Sequence, residues 1–198
     1  MSYIMEHMTV CIFPDELIVG SPTNTYKGAN LFMEYTSTGW LRDELDEFPT
    51  RTTDPYDITP EDKEKILKLF EYWEGKAVED LAPSILPPEI EDARQKDLIS
   101  VGCRNGVSGE TTPNYSRLLS LGLSGHIARC RELIEEERAK GGHVSRQPKI
   151  DFWTGCIIMA EGIIRYAERC AEKAEEMAAA ESDASRKAEL LVIAENCR

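Results

Sequence analysis

Residues 150–198 read IDFWTGCIIMAEGIIRYAERCAEKAEEMAAAESDASRKAELLVIAENCR, and this stretch decides the fold class. Phe152, Cys156, Met159, Ile163, Tyr166, Cys170, Ala174 and Met177 recur at steps of three and four, the period of one α-helical face. Glu161, Arg165, Glu168, Glu172, Lys173, Glu175 and Glu176 supply the opposite, charged face. The run pauses at Glu181-Ser182-Asp183, where Ser182 or Asp183 can cap a second helix. Ala188, Leu190, Leu191, Ile193 and Ala194 form that helix's apolar side. Two helices with this much apolar surface require a partner. The end at Asn196-Cys197-Arg198 has no Gly or Pro stop signal and is read as a cut.

Upstream, Gly141-Gly142-His143 separates this pair from another helical run. Leu118, Leu119, Leu121, Leu123, Ile127 and Leu133 thread that run, with Thr112 as its expected cap. Gly122 and Gly125 weaken it locally or allow close packing. Thr59-Pro60-Glu61-Asp62 is a helix start: a capping hydroxyl, Pro at the first helical position and acids in the first turn. Gly75 ends that helix. A short helix is expected over Gly39–Leu45, a turn or helix over Lys76–Leu81, and another helix from Pro87-Pro88-Glu89 reaching Leu98 and Ile99. Thr9–Phe13 and Leu17–Gly20 are β-prone runs joined by a turn at Pro14-Asp15-Glu16. The expectation is a mainly α chain with a small extended element near residues 9–20.

The 198 residues suffice for one domain with a core, and 41% hydrophobic with 30% charged residues excludes a disordered chain. The net charge of −13, with no basic stripe to offset it, argues against nucleic acid as a partner. No apolar run is long enough to span a bilayer, and the N-terminus lacks a leader pattern, so no membrane association and a cytoplasmic location are expected. Six cysteines, Cys11, Cys103, Cys130, Cys156, Cys170 and Cys197, show no CxxC spacing, and four lie in helical patterns as small apolar residues. His126–Cys130 and His7–Cys11 are each four apart, but a structural role outweighs a metal role, and no metal ligand is assigned.

No nucleophile, base and orienter can be assembled from spacing, so no catalytic residue is assigned. Two stretches stand out as surfaces. Met33-Glu34-Tyr35 marks a loop-to-helix boundary where an acid sits among aromatic and apolar residues, a composition common in pocket walls. VGCRNGVSGETT (101–112) is rich in Gly, Asn, Ser and Thr and is either a ligand-facing loop or a surface connector. Its glycines match no phosphate-loop spacing.

Four segments in this order carry a resemblance: PDELIVG (14–20), FMEYTSTGWLRDEL (32–45), TTPNYSRLLSLGLSGHI (111–127) and the stretch 152–197. Together they resemble the N-terminal part of glycyl radical enzymes of the pyruvate formate-lyase family, closer to the dehydratase and C–X lyase branch. The resemblance implies a formate acetyltransferase- or dehydratase-like lyase of anaerobic metabolism. In that family an activase using S-adenosylmethionine and an iron–sulfur cluster installs a radical on a glycine near the C-terminus. The radical passes to a cysteine inside a ten-stranded α/β barrel, and the thiyl abstracts a substrate hydrogen before C–C or C–X cleavage. The N-terminal helices pack around the barrel and supply part of its wall.

On this basis residues 1–198 are expected to be a partial pyruvate formate-lyase-like domain, trimmed at both ends. Neither the cysteine loop nor the radical glycine motif is found, so the chain is expected to bind no cofactor and to be inactive alone. A second chain carrying the rest of the barrel, and the activase, are the expected partners. Phe32, Glu34, Tyr35 and Trp40, with Arg104 and Asn105, are the expected pocket wall. Glu110 stands where many members have His. The competing expectation is a free-standing helical interaction module without catalysis.

Overall fold

Few residues interrupt the run between Gln147 and Ala180, and Pro148 falls in the first turn, where its missing N–H costs nothing. In the computed structural model, which describes residues 1–26, 28, 31, 33–34, 38–99, 113–141 and 145–198, that run is one helix of 34 residues. Among the described residues it is the seventh of eight: α1 (Ser2–His7), α2 (Thr38–Glu44), α3 (Pro60–Trp73), α4 (Val78–Ile85), α5 (Pro88–Gln95), α6 (Tyr115–Ala139), α7 (Gln147–Ala180) and α8 (Ala184–Asn196). A 3₁₀ turn covers Phe48–Thr50, and no strand occurs among the described residues. The chain divides into two compact units, one of Met1–Tyr26 with Thr112–Arg198 and one of Lys27–Thr111.

In the first unit α7 packs against α1, α6 and α8. Of the two candidate caps for α8, Asp183 acts: its Oδ1 accepts the Arg186 amide at 2.8 Å. Ala171, Ala174 and Ala178 of α7 meet Leu190, Ile193 and Ala194 of α8, with Ile12 closing the cluster. The expected apolar stripe of α7 is only half right. Cys170 and Ala174 are buried, but Phe152 and Ile163 are exposed. The buried line is made of small residues, Ala160, Gly162, Ala171, Ala174 and Ala178 among them, because short side chains let neighbouring helices approach closely. On α8 the buried side is Leu190, Ile193 and Ala194, and Leu191 faces solvent.

The extended run near residues 9–20 forms no strand, correcting the β-prone reading. Two of its carbonyls, Phe13 O and Glu16 O, and the flanking Met5, Met8 and Ser21 carbonyls find side chains instead of a ladder. Arg169 donates to Met5 O and Met8 O at 2.6 and 2.5 Å, Arg186 to Phe13 O and Glu16 O, both at 2.9 Å, and Tyr166 Oη to Ser21 O at 3.0 Å. The turn at Pro14-Asp15 is closed by Glu16 N on Phe13 O at 3.1 Å. Helix α1, which the sequence reading passed over, lies against α7 at Gly162. A Cβ there would stand 2.9 Å from Ser2 Oγ and 3.0 Å from Ser2 Cα.

Helix α6 is capped by Asn114, whose Oδ1 accepts the Arg117 amide at 3.0 Å, while Thr112, the expected cap, lies outside the described residues. At Gly122 the backbone turns to φ 63°, ψ 173°, and the helix kinks there. Glycine reaches that conformation without a Cβ clash.

In the second unit Thr59 caps α3 as expected, its Oγ1 accepting the Asp62 amide at 3.1 Å, with Pro60 at the first position. Gly75, at φ 70°, follows the helix end. Phe70 is fully buried among Met33, Leu41 and Leu45, with Phe48, Ile58, Ile66 and Trp73 around them. Helix α5 stops before Leu98 and Ile99, which the sequence reading had included; Asp97 at φ 54° takes the chain out of helix.

Candidate functional site

The expected pocket wall falls in the second unit. Phe32, Tyr35, Arg104 and Asn105 lie outside the described residues, as does the whole glycine-rich loop 101–112. Glu34 follows the buried Met33, and its carbonyl accepts the Val78 amide at 2.9 Å, tying the turn to the start of α4. Trp40 sits on α2 with 47% of its surface exposed, while Leu41 of the same helix enters the core. The helix therefore anchors through Leu41 and leaves the indole free for another surface.

A second concavity, which the sequence reading did not single out, opens in the first unit between α6 and α7. It encloses about 340 Å³. Leu118 and Leu123, on either side of the Gly122 kink, line it with Ile127 and Ala160, and Asn114, Arg117, His126, Cys130 and Cys156 are the polar residues of the lining. Burial pushes the Cys130 thiol above its ordinary range, and the neighbouring Cys156 thiol adds to the shift; Arg117 pulls weakly the other way. Cys130 is therefore a neutral thiol at pH 7. The His126–Cys130 spacing was legible in the sequence; the approach of Cys156 needed the antiparallel return of α7.

Among the described residues no group of three or more His, Cys, Asp or Glu side chains is arranged to hold a metal ion. His7, the other spaced histidine, donates from Nδ1 to Tyr3 O, 2.8 Å away, and stacks on the Tyr3 ring. No helix among the described residues is long and apolar enough to cross a membrane.

At the turn between α6 and α7, the buried Glu137 faces Lys140 at 2.6 Å, with Arg146 and Lys149 each at 4.0 Å. The hydrogen bond from Lys140 is the largest influence holding the Glu137 carboxyl below its usual range. This cluster pins the hairpin and presents no reactive group.

The chain's fold and sequence have clear counterparts. It is 30% identical over 203 residues to the isethionate sulfite-lyase of Desulfovibrio desulfuricans, covering 98% of this chain and 24% of that protein. The glycerol-bound B12-independent glycerol dehydratase from Clostridium butyricum superposes with a TM-score of 0.90 at 37% identity, covering 99% of this chain and 25% of that one. A glycyl radical enzyme from Archaeoglobus fulgidus gives a TM-score of 0.82 at 29% identity, covering 100% and 25%. The chain thus spans about a quarter of the length of the relatives it matches. The family model described as pyruvate formate lyase-like matches residues 1–198, and the chain belongs to this family of glycyl radical enzymes.

Proposed function

We propose that this chain is the N-terminal helical portion of a glycyl radical dehydratase or C–X lyase, and that it forms part of the wall around a ten-stranded barrel. The observation that carries this reading is the superposition on glycerol dehydratase over 99% of this chain and 25% of that enzyme. Exposed apolar side chains support it. Leu119 is 82% and Phe152 68% exposed, and Ile158, Leu191 and Val192 are also open to solvent, a pattern expected of surfaces that meet another body.

In this reading the thiyl cysteine and the radical glycine belong to the part of the enzyme beyond the matched quarter. None of the residues described above is a counterpart of either, and no radical step is assigned to this chain. Its own residues shape and position. Phe32, Glu34, Tyr35, Trp40, Arg104 and Asn105 line the substrate side, Glu34 as acceptor for a substrate hydroxyl and Trp40 as an apolar wall that excludes water. The assembled enzyme takes its radical from an S-adenosylmethionine-dependent activase and works in the cytoplasm.

The closed alanine-rich core between α7, α8 and Ile12 favours a second reading, a free-standing helical interaction module. A chimera separates the two. Residues 1–198 replace the matching quarter of Clostridium butyricum glycerol dehydratase, and the protein is activated under anoxia. The proposal expects a glycyl radical signal by electron paramagnetic resonance. A soluble, folded chimera that never acquires the radical favours the module.

A further inference from the structure

We propose that Cys130 and Cys156 are a reversible disulfide site that staples α6 to α7 across the floor of the apolar groove. The two thiols come from neighbouring packed helices and line the same cavity. Both are free and partly exposed, so a small oxidant can reach them. The Cys156 thiol is near enough to add to the upward shift of the Cys130 thiol, after burial. The rest of the lining is apolar apart from Asn114, Arg117 and His126, and among the described residues no carboxylate lines the groove to repel a thiolate.

The oxidant is a low-molecular-weight disulfide. One cysteine, as thiolate, attacks a sulfur of that reagent; a mixed disulfide forms, the reagent's S–S bond breaks, and one small thiolate leaves. Cys130, whose thiolate is disfavoured by burial, is the resolving partner and attacks the mixed disulfide at Cys156. That expels the second small thiol. The protein loses two protons and two electrons, and the reagent becomes two thiols. The new bond, about 2.05 Å long, closes a loop of about 25 residues and ties α6 to α7.

The test treats the 198-residue chain with oxidised glutathione at pH 8, then blocks the remaining thiols and digests with a glutamate-specific protease. Expected is one linked pair, residues 111–132 joined to 138–161, with two of the six cysteines lost to titration. The oxidised chain should melt roughly 5 °C higher, and a small dithiol should reverse the shift. Cys130→Ser and Cys156→Ser should each abolish both the link and the shift. If either variant does not fold, the linkage map of the unmodified chain decides alone. Linkage through Cys170 and Cys197 instead, or glutathione retained on Cys130 or Cys156 without the internal bond, overturns the proposal.

Discussion

Arg186 Nη2 donates to the carbonyl oxygen of Phe13 at 2.9 Å, joining the start of α8 to a turn 173 residues away. Nη1 of the same guanidinium donates to Glu16 O at 2.9 Å. The fork thus spans both ends of the Pro14-Asp15 turn. Its side chain is only 14% exposed, so water replaces these bonds poorly. Arg186→Ala strands the Glu16 carbonyl and leaves Phe13 O with the Glu16 amide alone, and should destabilise the first unit by about 1–3 kcal/mol. Urea unfolding reads the loss, and amide exchange over residues 13–20 should accelerate. Unchanged exchange there means that other contacts hold the strap.

Gly162 makes a second claim on the N-terminus. An added methyl would stand 2.9–3.1 Å from three atoms of Ser2, including its Cα. Gly162→Ala raises the intrinsic helix preference of α7 by up to about 1 kcal/mol, yet the clash should displace α1. The expected result is faster proteolysis within residues 1–8 and a net loss of about 1–2 kcal/mol. A rise in the melting temperature with α1 still protected would contradict the close packing.

Glu137 sets the acid limit of the α6–α7 hairpin. Its folded pKa is lowered, first by the Lys140 hydrogen bond and then by the charges of Lys140, Lys149 and Arg146, against an opposing effect of burial. A lowered folded value means the contribution is complete above the unfolded glutamate value, about 4.3. It is lost as pH falls through the lower folded value. Urea midpoints for the unmodified chain and for Glu137→Gln should therefore differ at pH 7 and converge as pH falls below the unfolded glutamate value and through the lower folded one. A constant gap across that window would remove Glu137 from the acid response.

Glu34 and Trp40 carry the pocket-wall proposal among the described residues. Their removal should leave the second unit folded, because Trp40 is half exposed and the core rests on Met33, Leu41, Leu45 and Phe70. In an assembled, activated enzyme, Trp40→Ala and Glu34→Gln should lower kcat/KM by roughly tenfold or more each, the loss of one apolar or hydrogen-bonding contact. Steady-state kinetics at equal radical content checks this. Unaltered turnover in both variants rejects the wall assignment.

How much of this was legible beforehand depends on the range of the interactions involved. Thr59-Pro60, Gly75 and Asp183 act within a few residues of themselves; the sequence placed the first two and narrowed the α8 cap to Ser182 or Asp183. The long α7 followed from its period. Which stripe of α7 is buried did not, because hydrophobicity favours Phe152 and Ile163 whereas close helix packing selects alanine and glycine. The Thr9–Phe13 run looked like a strand because Val, Ile and Phe favour one; its Phe13 carbonyl is claimed by Arg186, and the Met8 carbonyl just before it by Arg169, each more than 150 residues away in sequence. Helix α1 is too short to show a period. The meeting of Cys130 and Cys156 depends on tertiary return and has no local signature.

The account rests on these helices seating against a larger body, and complex formation tests that most directly. The 198-residue chain is mixed with the separately produced remainder of Clostridium butyricum glycerol dehydratase, lacking its matched quarter, and the mass of the eluting species is measured by light scattering. The account predicts a one-to-one complex in which Leu119 and Phe152 become protected from labelling. Two species that elute apart at every concentration, with those side chains as reactive as before, would contradict it.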